Sequence, residues 1–409
     1  MIFYIAIVKV RLEKLTDDFM NNAVKRTSCL ALCIWATLAS FYFYQFIARS
    51  SFITVLTNEF MQYFGIDSAG LGALGSCYYW VYTLMQIPAG IIVDRHKMKT
   101  VATIAALLCS LGLFVLIATP CKYVAGAGEM LMGFGSAFAF VLVIKAITQW
   151  FPADKLAIMT SFSMAVGCLG PVFGGPTVAR IVTSFYWIDI IKVFCLVGVG
   201  IAVLIWLVVR ENEELKESQK SQPSVNIKLA LKQIISSKQA WILSLMTMAI
   251  YAPLSALGDL WGGRFIQTAY NLNSQAAATA NNMLYLGVVI GSPIVAYIAN
   301  VIESYKKPMV LGVIGAFLFL FVIVYFPSCL NPTMLYIFMF STGFCCGSML
   351  SYPLALALFP KSFGATVTGF VNMMSMVSGI ILMTTVGFFI QKSWDGLTEN
   401  GLTVYSVKD

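Results

Sequence analysis

Charged side chains are scarce in this sequence. Only 11% of its 409 residues are Asp, Glu, Lys or Arg, where a soluble domain carries about a quarter. So few charges cannot coat a core built from 59% hydrophobic residues, and the mean hydropathy is +0.84. A cytosolic enzyme, a secreted disulfide scaffold and a disordered chain are thereby excluded. Histidine is nearly absent too, with His96 alone, and the ten cysteines show no CxxC spacing. Zinc and haem sites are therefore not expected, and no metal or cofactor is assigned. No G-x-x-x-x-G-K-[ST] phosphate loop occurs, and the longest polar stretch, 210–239, is too short for a soluble catalytic domain. Neither an ATP-driven pump nor an enzyme is expected. The net charge of +8 does not mark a nucleic-acid binder, because the basic residues fall between apolar runs, as membrane topology requires.

What the chain does contain is long apolar runs. A spanning helix needs about 20 mostly apolar residues, and eleven stretches qualify: 29–55, 71–93, 101–120, 124–150, 156–180, 186–209, 240–266, 281–302, 309–328, 334–359 and 365–391. An all-α integral membrane protein is expected. The opening MIFYIAIVKV is too short to span and is read as an interfacial start. Lys9, Arg11, Lys14, Lys25 and Arg26 precede the first span, Arg95, Lys97 and Lys99 follow the second, and six further Lys or Arg lie in 210–239. The positive-inside rule places these loops, and the amino terminus, in the cytoplasm. The resulting division is a cytoplasmic segment 1–28, a six-helix bundle 29–209, a cytoplasmic loop 210–239, a five-helix bundle 240–391 and a non-cytoplasmic tail 392–409. An amphipathic run from Val225 to Ile235 suits the membrane surface. Eight cysteines lie within spans as small hydrophobes. Cys121 and Cys329 lie in loops on one side, where a disulfide is open to them.

The halves echo one another. PADKLAIMTSF from Pro152 answers PKSFGATVTGF from Pro360, and GFGSAF from Gly133 answers GFCCGS from Gly343. A duplication predicts six spans in the second half, yet only five are found, so the chain is expected to be truncated before a twelfth.

Two six-helix halves, a long central loop and a short basic loop after the second span resemble the major facilitator superfamily. Gly90-Ile-Ile-Val-Asp94-Arg95 is similar to that superfamily's signature between helices two and three, although Lys97 stands where glycine is usual. Gly167-Cys-Leu-Gly170-Pro171-Val-Phe-Gly174-Gly175 resembles the glycine-proline motif of its antiporters. Glu129 stands where R-x-x-x-G has arginine. The resemblance implies a two-bundle secondary transporter, similar to bacterial nutrient and siderophore carriers, monomeric, with alternating access. Gly90, Asp94, Arg95, Gly170, Pro171 and Gly174 are then gating candidates, the charged pair bridging helix ends and the Gly-Pro run letting helices pack and bend.

Ionisable groups inside a bilayer cost at least about 2.5–3.5 kcal/mol each near a span's centre, and so mark a pathway. Arg49 and Gln45, four apart, share a helical face and are candidates to bind an anionic group of a solute; snorkelling is the alternative for Arg49. Lys145 has the same two readings. Asp259 and Trp261 beside it are solute-binding candidates too, and Asp259 can pair with Arg264 or, across the halves, with Arg49. Tyr82 and Asn372 are further solute-contact candidates, and Glu129 and Asp259 are candidates for proton coupling. Asp189 and Lys192 are expected to pair with each other. The function expected is gradient-driven, proton-coupled transport of a small polar, anionic or zwitterionic organic solute across a bacterial inner membrane. Proton-antiport efflux and a truncated, transport-dead protein are the rivals. The partners expected are thus the solute, the coupling proton and lipid, with no nucleic acid.

Overall fold

The computed structural model describes residues 29–152, 155–212, 227–359, 364–393, 398–399 and 402–403. The elements in chain order are α1 (Cys29–Val55), α2 (Thr57–Phe64), α3 (Ser68–Arg95), α4 (Met98–Ile117), α5 (Lys122–Trp150), α6 (Leu156–Ile181) and α7 (Trp187–Val208). They continue with α8 (Ile227–Ser236), α9 (Lys238–Tyr270), α10 (Ser274–Val301), α11 (Lys306–Tyr325), α12 (Pro332–Cys346), α13 (Ser351–Leu358) and α14 (Gly364–Ser393). A two-residue antiparallel pairing joins Thr398–Glu399 to Leu402–Thr403.

Ten stretches among the described residues are long and apolar enough to cross a bilayer, α12 and α13 together supplying one of them. Helix α3 is as long, 28 residues or about 42 Å at 1.5 Å per residue, but too rich in Tyr, Ser, Gly and Gln to count as apolar. Its position accounts for this composition. Helix α3 packs on α5 within its own half and on α14 of the other half, so its polar residues meet protein rather than lipid. A second seam between the halves runs along α6 and α10. At the other extreme, only 28% of the apolar window of α7 and of α11 is buried, against 72% for α5. Helices α7 and α11 therefore form the lipid-facing periphery, and Leu196 and Leu311 stand out from them.

The duplication is also visible in the helix boundaries. Gly65 (φ 60°) ends α2 in the left-handed conformation, and two residues later Asp67 caps α3, its carboxylate accepting from the Gly70 N–H at 2.7 Å. In the second half Asn271 (φ 52°) ends α9 in the same way, and Asn273 caps α10 by accepting from the Ala276 N–H at 2.8 Å. Gly and Asn are the residues that tolerate such a stop, and Asp and Asn are strong helix starters. Each capped helix then runs 28 residues. The paired glycines of the sequence echo do equivalent work. A β-carbon at Gly133 would collide with the Tyr78 carbonyl of α3, and one at Gly343 with the Leu284 carbonyl of α10.

The structure departs from expectation at the span 334–359. Helix α12 stops at Cys346, residues 347–350 are not helical, and α13 restarts at Ser351. The restart places Pro353 in a first turn, where its missing N–H costs nothing. Gly347 meanwhile lies so close to α10 that a β-carbon would be 2.6 Å from the Ser292 nitrogen. All ten cysteines are free, so Cys121 and Cys329 form no disulfide. Pro360 of the sequence echo, the segment 1–28, Val225 and most of the tail lie outside the described residues.

Gly343→Val should therefore fail by overpacking, where inserted methylenes cost about 1–3 kcal/mol even without backbone contact. Thermal unfolding of the purified protein should show a midpoint several degrees lower, or no folded protein at all. An unchanged midpoint would contradict this packing.

Candidate functional site

Helices α1 and α9 each depart from α-helical geometry once, α1 over Ile47–Ser51 and α9 over Leu254–Trp261, where the turns are π-helical. Such wide turns recur at functional sites. Each carries one buried charge. Arg49 and Asp259 lie at nearly the same depth of their helices, twenty and twenty-one residues past Cys29 and Lys238. They are 5% and 1% exposed and meet between the halves, with Arg49 Nη2 3.4 Å from Asp259 Oδ2.

The pair is surrounded by phenols. Tyr79 donates a short hydrogen bond to Asp259 Oδ2, and the Tyr285 hydroxyl donates to Oδ1 at 2.5 Å. Arg49 Nη2 donates to the Tyr251 hydroxyl at 2.8 Å, and its guanidinium lies 4.3 Å from the Phe46 ring centroid, a cation–π distance. Four elements thus meet at one ion pair: α1, α3, α9 and α10. Two glycines make room for it. A β-carbon on Gly258 would come 2.7 Å from the Tyr285 hydroxyl, and one on Gly379 of α14 would strike the Tyr79 ring. One donor remains unused, since Arg49 Nε is buried and has no acceptor among the described residues.

Beside the pair, a ladder of neutral polar groups continues through the interior. The Tyr78 hydroxyl donates to Gln45 Oε1 at 2.9 Å, and the Tyr78 and Tyr82 rings stack at 5.5 Å. Asn372 Nδ2 donates to Gln86 Oε1 at 2.7 Å and, at 3.5 Å, to the Tyr82 hydroxyl. The Tyr352 hydroxyl donates to Asn372 Oδ1 at 2.7 Å. Tyr352 comes from α13, so the break before that helix is what delivers it. All these side chains are buried.

The structure thus brings Arg49, Gln45, Tyr82, Asp259 and Asn372 into one interior. It leaves other sequence candidates outside it. The Lys145 ammonium donates to the Val93 carbonyl, and to that of His96 at 3.4 Å, holding the end of α3. Trp261 donates through Nε1 to the Met383 carbonyl at 3.2 Å and packs on Gly72 and Gly387. Arg264 does not pair with Asp259. It bonds Asn58 Oδ1 at 2.9 Å and the Ser68 hydroxyl at 3.4 Å, tying α9 to the region of α2 and α3. Glu129 is buried and makes no ion pair among the described residues. Asp189 and Lys192 pair on the exposed face of α7 at 2.8 Å. Gly170 and Gly174 face α1, a β-carbon on them falling 2.8 Å from the Phe43 carbonyl and 2.5 Å from the Ser51 hydroxyl. They set α6 against the π turn that carries Arg49, and Pro171 lies between them within α6. Gly90 is buried in α3, Arg95 is exposed at its end, and the Asp94 side chain lies outside the described residues. Sequence reasoning missed Tyr79 and Tyr251. Their signal was faint, because a phenol costs little in an apolar helix and does not stand out as a charge does.

Two helical bundles joined along two seams, with a charged and hydroxyl-rich interior between them, have the architecture of a membrane transporter. The family model of the Major Facilitator Superfamily matches residues 38–383, and the chain belongs to that superfamily. It is 23% identical over 292 residues to the uncharacterized transporter YybO of Bacillus subtilis (strain 168), covering 66% of this chain and 67% of YybO. It is 30% identical over 167 residues to the D-galactonate transporter of Escherichia coli O6:H1, covering 40% of this chain and 38% of that one. The probable galactarate/D-glucarate transporter GudP of B. subtilis matches at 25% over 161 residues, covering 37% of this chain and 35% of GudP. The match thus spans two thirds of YybO but little more than a third of the other two. Among solved structures, a bacterial homolog of the human lysosomal transporter Spinster, inward-facing and unoccupied, superposes with a TM-score of 0.66 at 18% identity. That match covers 90% of this chain and 84% of the homolog. The nucleoside transporter NupG superposes with a TM-score of 0.66 at 15% identity, covering 90% and 94%. The chain is a membrane protein of a transporter family, and its relatives support transmembrane transport of an organic solute.

Loss of a hydrogen bond to a charged group costs about 1.5–3 kcal/mol. Tyr285→Phe should lower stability by roughly that amount, read from thermal or denaturant unfolding in detergent. In an Asp259→Ala background the same change should cost far less. Equal costs in both backgrounds would show that the phenol does not serve Asp259.

Proposed function

We propose that this protein carries a small, hydroxylated organic anion across a bacterial inner membrane by alternating access, driven by the proton gradient. The observation that carries the reading is Arg49. It is a permanently charged guanidinium held in a buried π turn between the bundles, and its Nε has no acceptor among the described residues. A guanidinium is suited to grip a carboxylate through two parallel N–H donors. The adjoining amides and phenols of Gln45, Tyr78, Tyr82, Gln86 and Asn372 offer donors and acceptors in a row, which suits hydroxyl groups better than an alkyl chain. The sugar acids named for two relatives have this chemistry, a carboxylate on a polyhydroxylated chain, and support the reading. Asp259 occupies Arg49 when no solute is present, so that the pair closes the path between the bundles. The working unit is the monomer, and the amino terminus lies in the cytoplasm.

The test is uptake of labelled D-galactonate and D-glucarate into proteoliposomes under an imposed pH gradient. At least one should be concentrated, and the matching sugar alcohols should not compete. Arg49→Gln should reduce uptake roughly ten- to a hundredfold, the worth of about 1.5–3 kcal/mol, while the protein still reconstitutes. Unchanged uptake in Arg49→Gln would remove Arg49 from the site and the reading with it.

A further inference from the structure

Between α1, α6 and α7 lies an apolar slot of about 500 Å3, within the range of sites that hold small organic molecules. Its walls come from residues 43–52 of α1, 173–181 of α6 and 189–194 of α7. Thr177 and Asp189 alone among its lining residues bring polar side chains. The slot is separate from the polar interior, since neither Arg49 nor Asp259 lines it. It opens toward lipid, where Phe173, Phe185 and Val193 are each more than half exposed, while Ile47 and Phe52 of its inner wall are buried.

The slot has the depth of one leaflet. From Phe43 to Phe52, α1 climbs about 14 Å at 1.5 Å per residue. That stretch begins just past the middle of α1 and ends near Val55. The lining residues of α6 and α7 occupy the same half of those helices. Half of a hydrocarbon core of about 30 Å is about 15 Å. Tyr186 and Trp187 mark the outer end of the slot at the start of α7, as such rings mark a membrane interface. Charge gathers at the same level. Asp189 lines the mouth and pairs with Lys192 at 2.8 Å, both side chains more than half exposed. Arg180 is exposed in the last turn of α6. An apolar shaft under a charged rim fits an amphiphile, and a rim of both signs fits a headgroup of both signs. Lys192 and Arg180 suit a phosphate, and Asp189 accepts from an ammonium.

We propose that this slot seats one acyl chain of a phospholipid whose headgroup joins a phosphate to a primary ammonium, taken from the leaflet on the Val55 side of α1. The chain packs on Ile47 and Phe52, which begin and follow the π turn that carries Arg49. Gly174 holds α6 close at that level, where a β-carbon would lie 3.0 Å from Ile47. The Phe194 ring, 4.6 Å from that of Tyr44 and 5.2 Å from that of Phe52, ties α7 to the same wall. A seated chain thus supports from the lipid side the turn that presents Arg49 to the interior. Because it binds the folded protein and not the unfolded chain, it stabilises by mass action.

The test is photolabelling in proteoliposomes doped with phosphatidylethanolamine that carries a diazirine in mid-chain, with adducts mapped by peptide mass spectrometry. Adducts should form on residues 43–52, whose buried members a label reaches through the slot. Helix α11, equally open to lipid, reports ordinary bilayer contact. Val193→Trp, at an exposed position on the slot, should lower labelling of 43–52 roughly tenfold and leave that of α11 unchanged. Thr177→Trp gives the same reading should Val193→Trp not fold. A phosphatidylglycerol probe with the same chain should label 43–52 far less than phosphatidylethanolamine, and Asp189→Asn should erase that difference. In detergent, added phosphatidylethanolamine should raise the unfolding midpoint of the wild type by several degrees, and that of Val193→Trp much less. Absence of adducts on 43–52, labelling untouched by both Trp variants, or equal labelling by the two headgroups overturns the proposal. Light scattering that finds a dimer dissociated by Val193→Trp gives the slot to a second copy and overturns it too.

Discussion

A single buried ion pair makes the strongest demand on this structure. Arg49 and Asp259 approach to 3.4 Å with almost no solvent exposure, where each ion has lost its water. The idealised cost of desolvating such ions is of order 20 kcal/mol each, and several kcal/mol per ion remain after relaxation. Attraction within the pair offsets this only when the remaining donors and acceptors are satisfied. The phenols of Tyr79, Tyr251 and Tyr285 do that for the carboxylate and for Arg49 Nη2, while Arg49 Nε has no acceptor among the described residues. Gly258 and Gly379 leave the space those rings occupy. Glycines are costly inside a helix, and here their place is set by the aromatic ring each admits.

The same demand shapes the helices. Both charged residues ride on π turns, one in each half, at matching depth. Gly170 and Gly174 bring α6 close under the first of them. Near the Val55 and Tyr270 ends of α1 and α9, the Thr54 hydroxyl bonds the Asp259 carbonyl at 3.0 Å and Arg264 bonds Asn58. Deeper in, Gln86 and Asn372 join α3 to α14. The halves are thus joined by polar contacts in the interior, while the apolar periphery of α7 and α11 faces lipid.

Much of the fold was legible because a bilayer imposes a coarse rule. Apolar runs of sufficient length and the bias of Lys and Arg between them marked the helices, and motif resemblance named the architecture. Arg49 and Asp259 were conspicuous because a charge in an apolar run is costly unless it pairs or snorkels. Which cation Asp259 would choose was not legible. Arg264 is nearer in sequence, but it lies past the π turn and reaches toward Asn58 instead. Lys145 looked equivalent to Arg49 by composition, yet its long stem lets it find the carbonyls at the end of α3. Trp261 adjoins Asp259 in sequence and faces α14 across the helix. The phenols around the pair left no pattern, since a hydroxyl's partner is decided by packing between distant helices. The interruption at 347–350 was hidden within an apolar run, and only Gly347 and Pro353 hinted at it.

The central claim is that Arg49 and Asp259 depend on one another for their burial. A double-mutant cycle on unfolding stability, using Arg49→Gln, Asp259→Asn and both together, measures that dependence directly. Breaking a buried pair from one side costs about 3–5 kcal/mol, so each single change should destabilise strongly, and the double should cost clearly less than their sum. Strict additivity would mean that the two charges are stabilised separately, and would contradict the account.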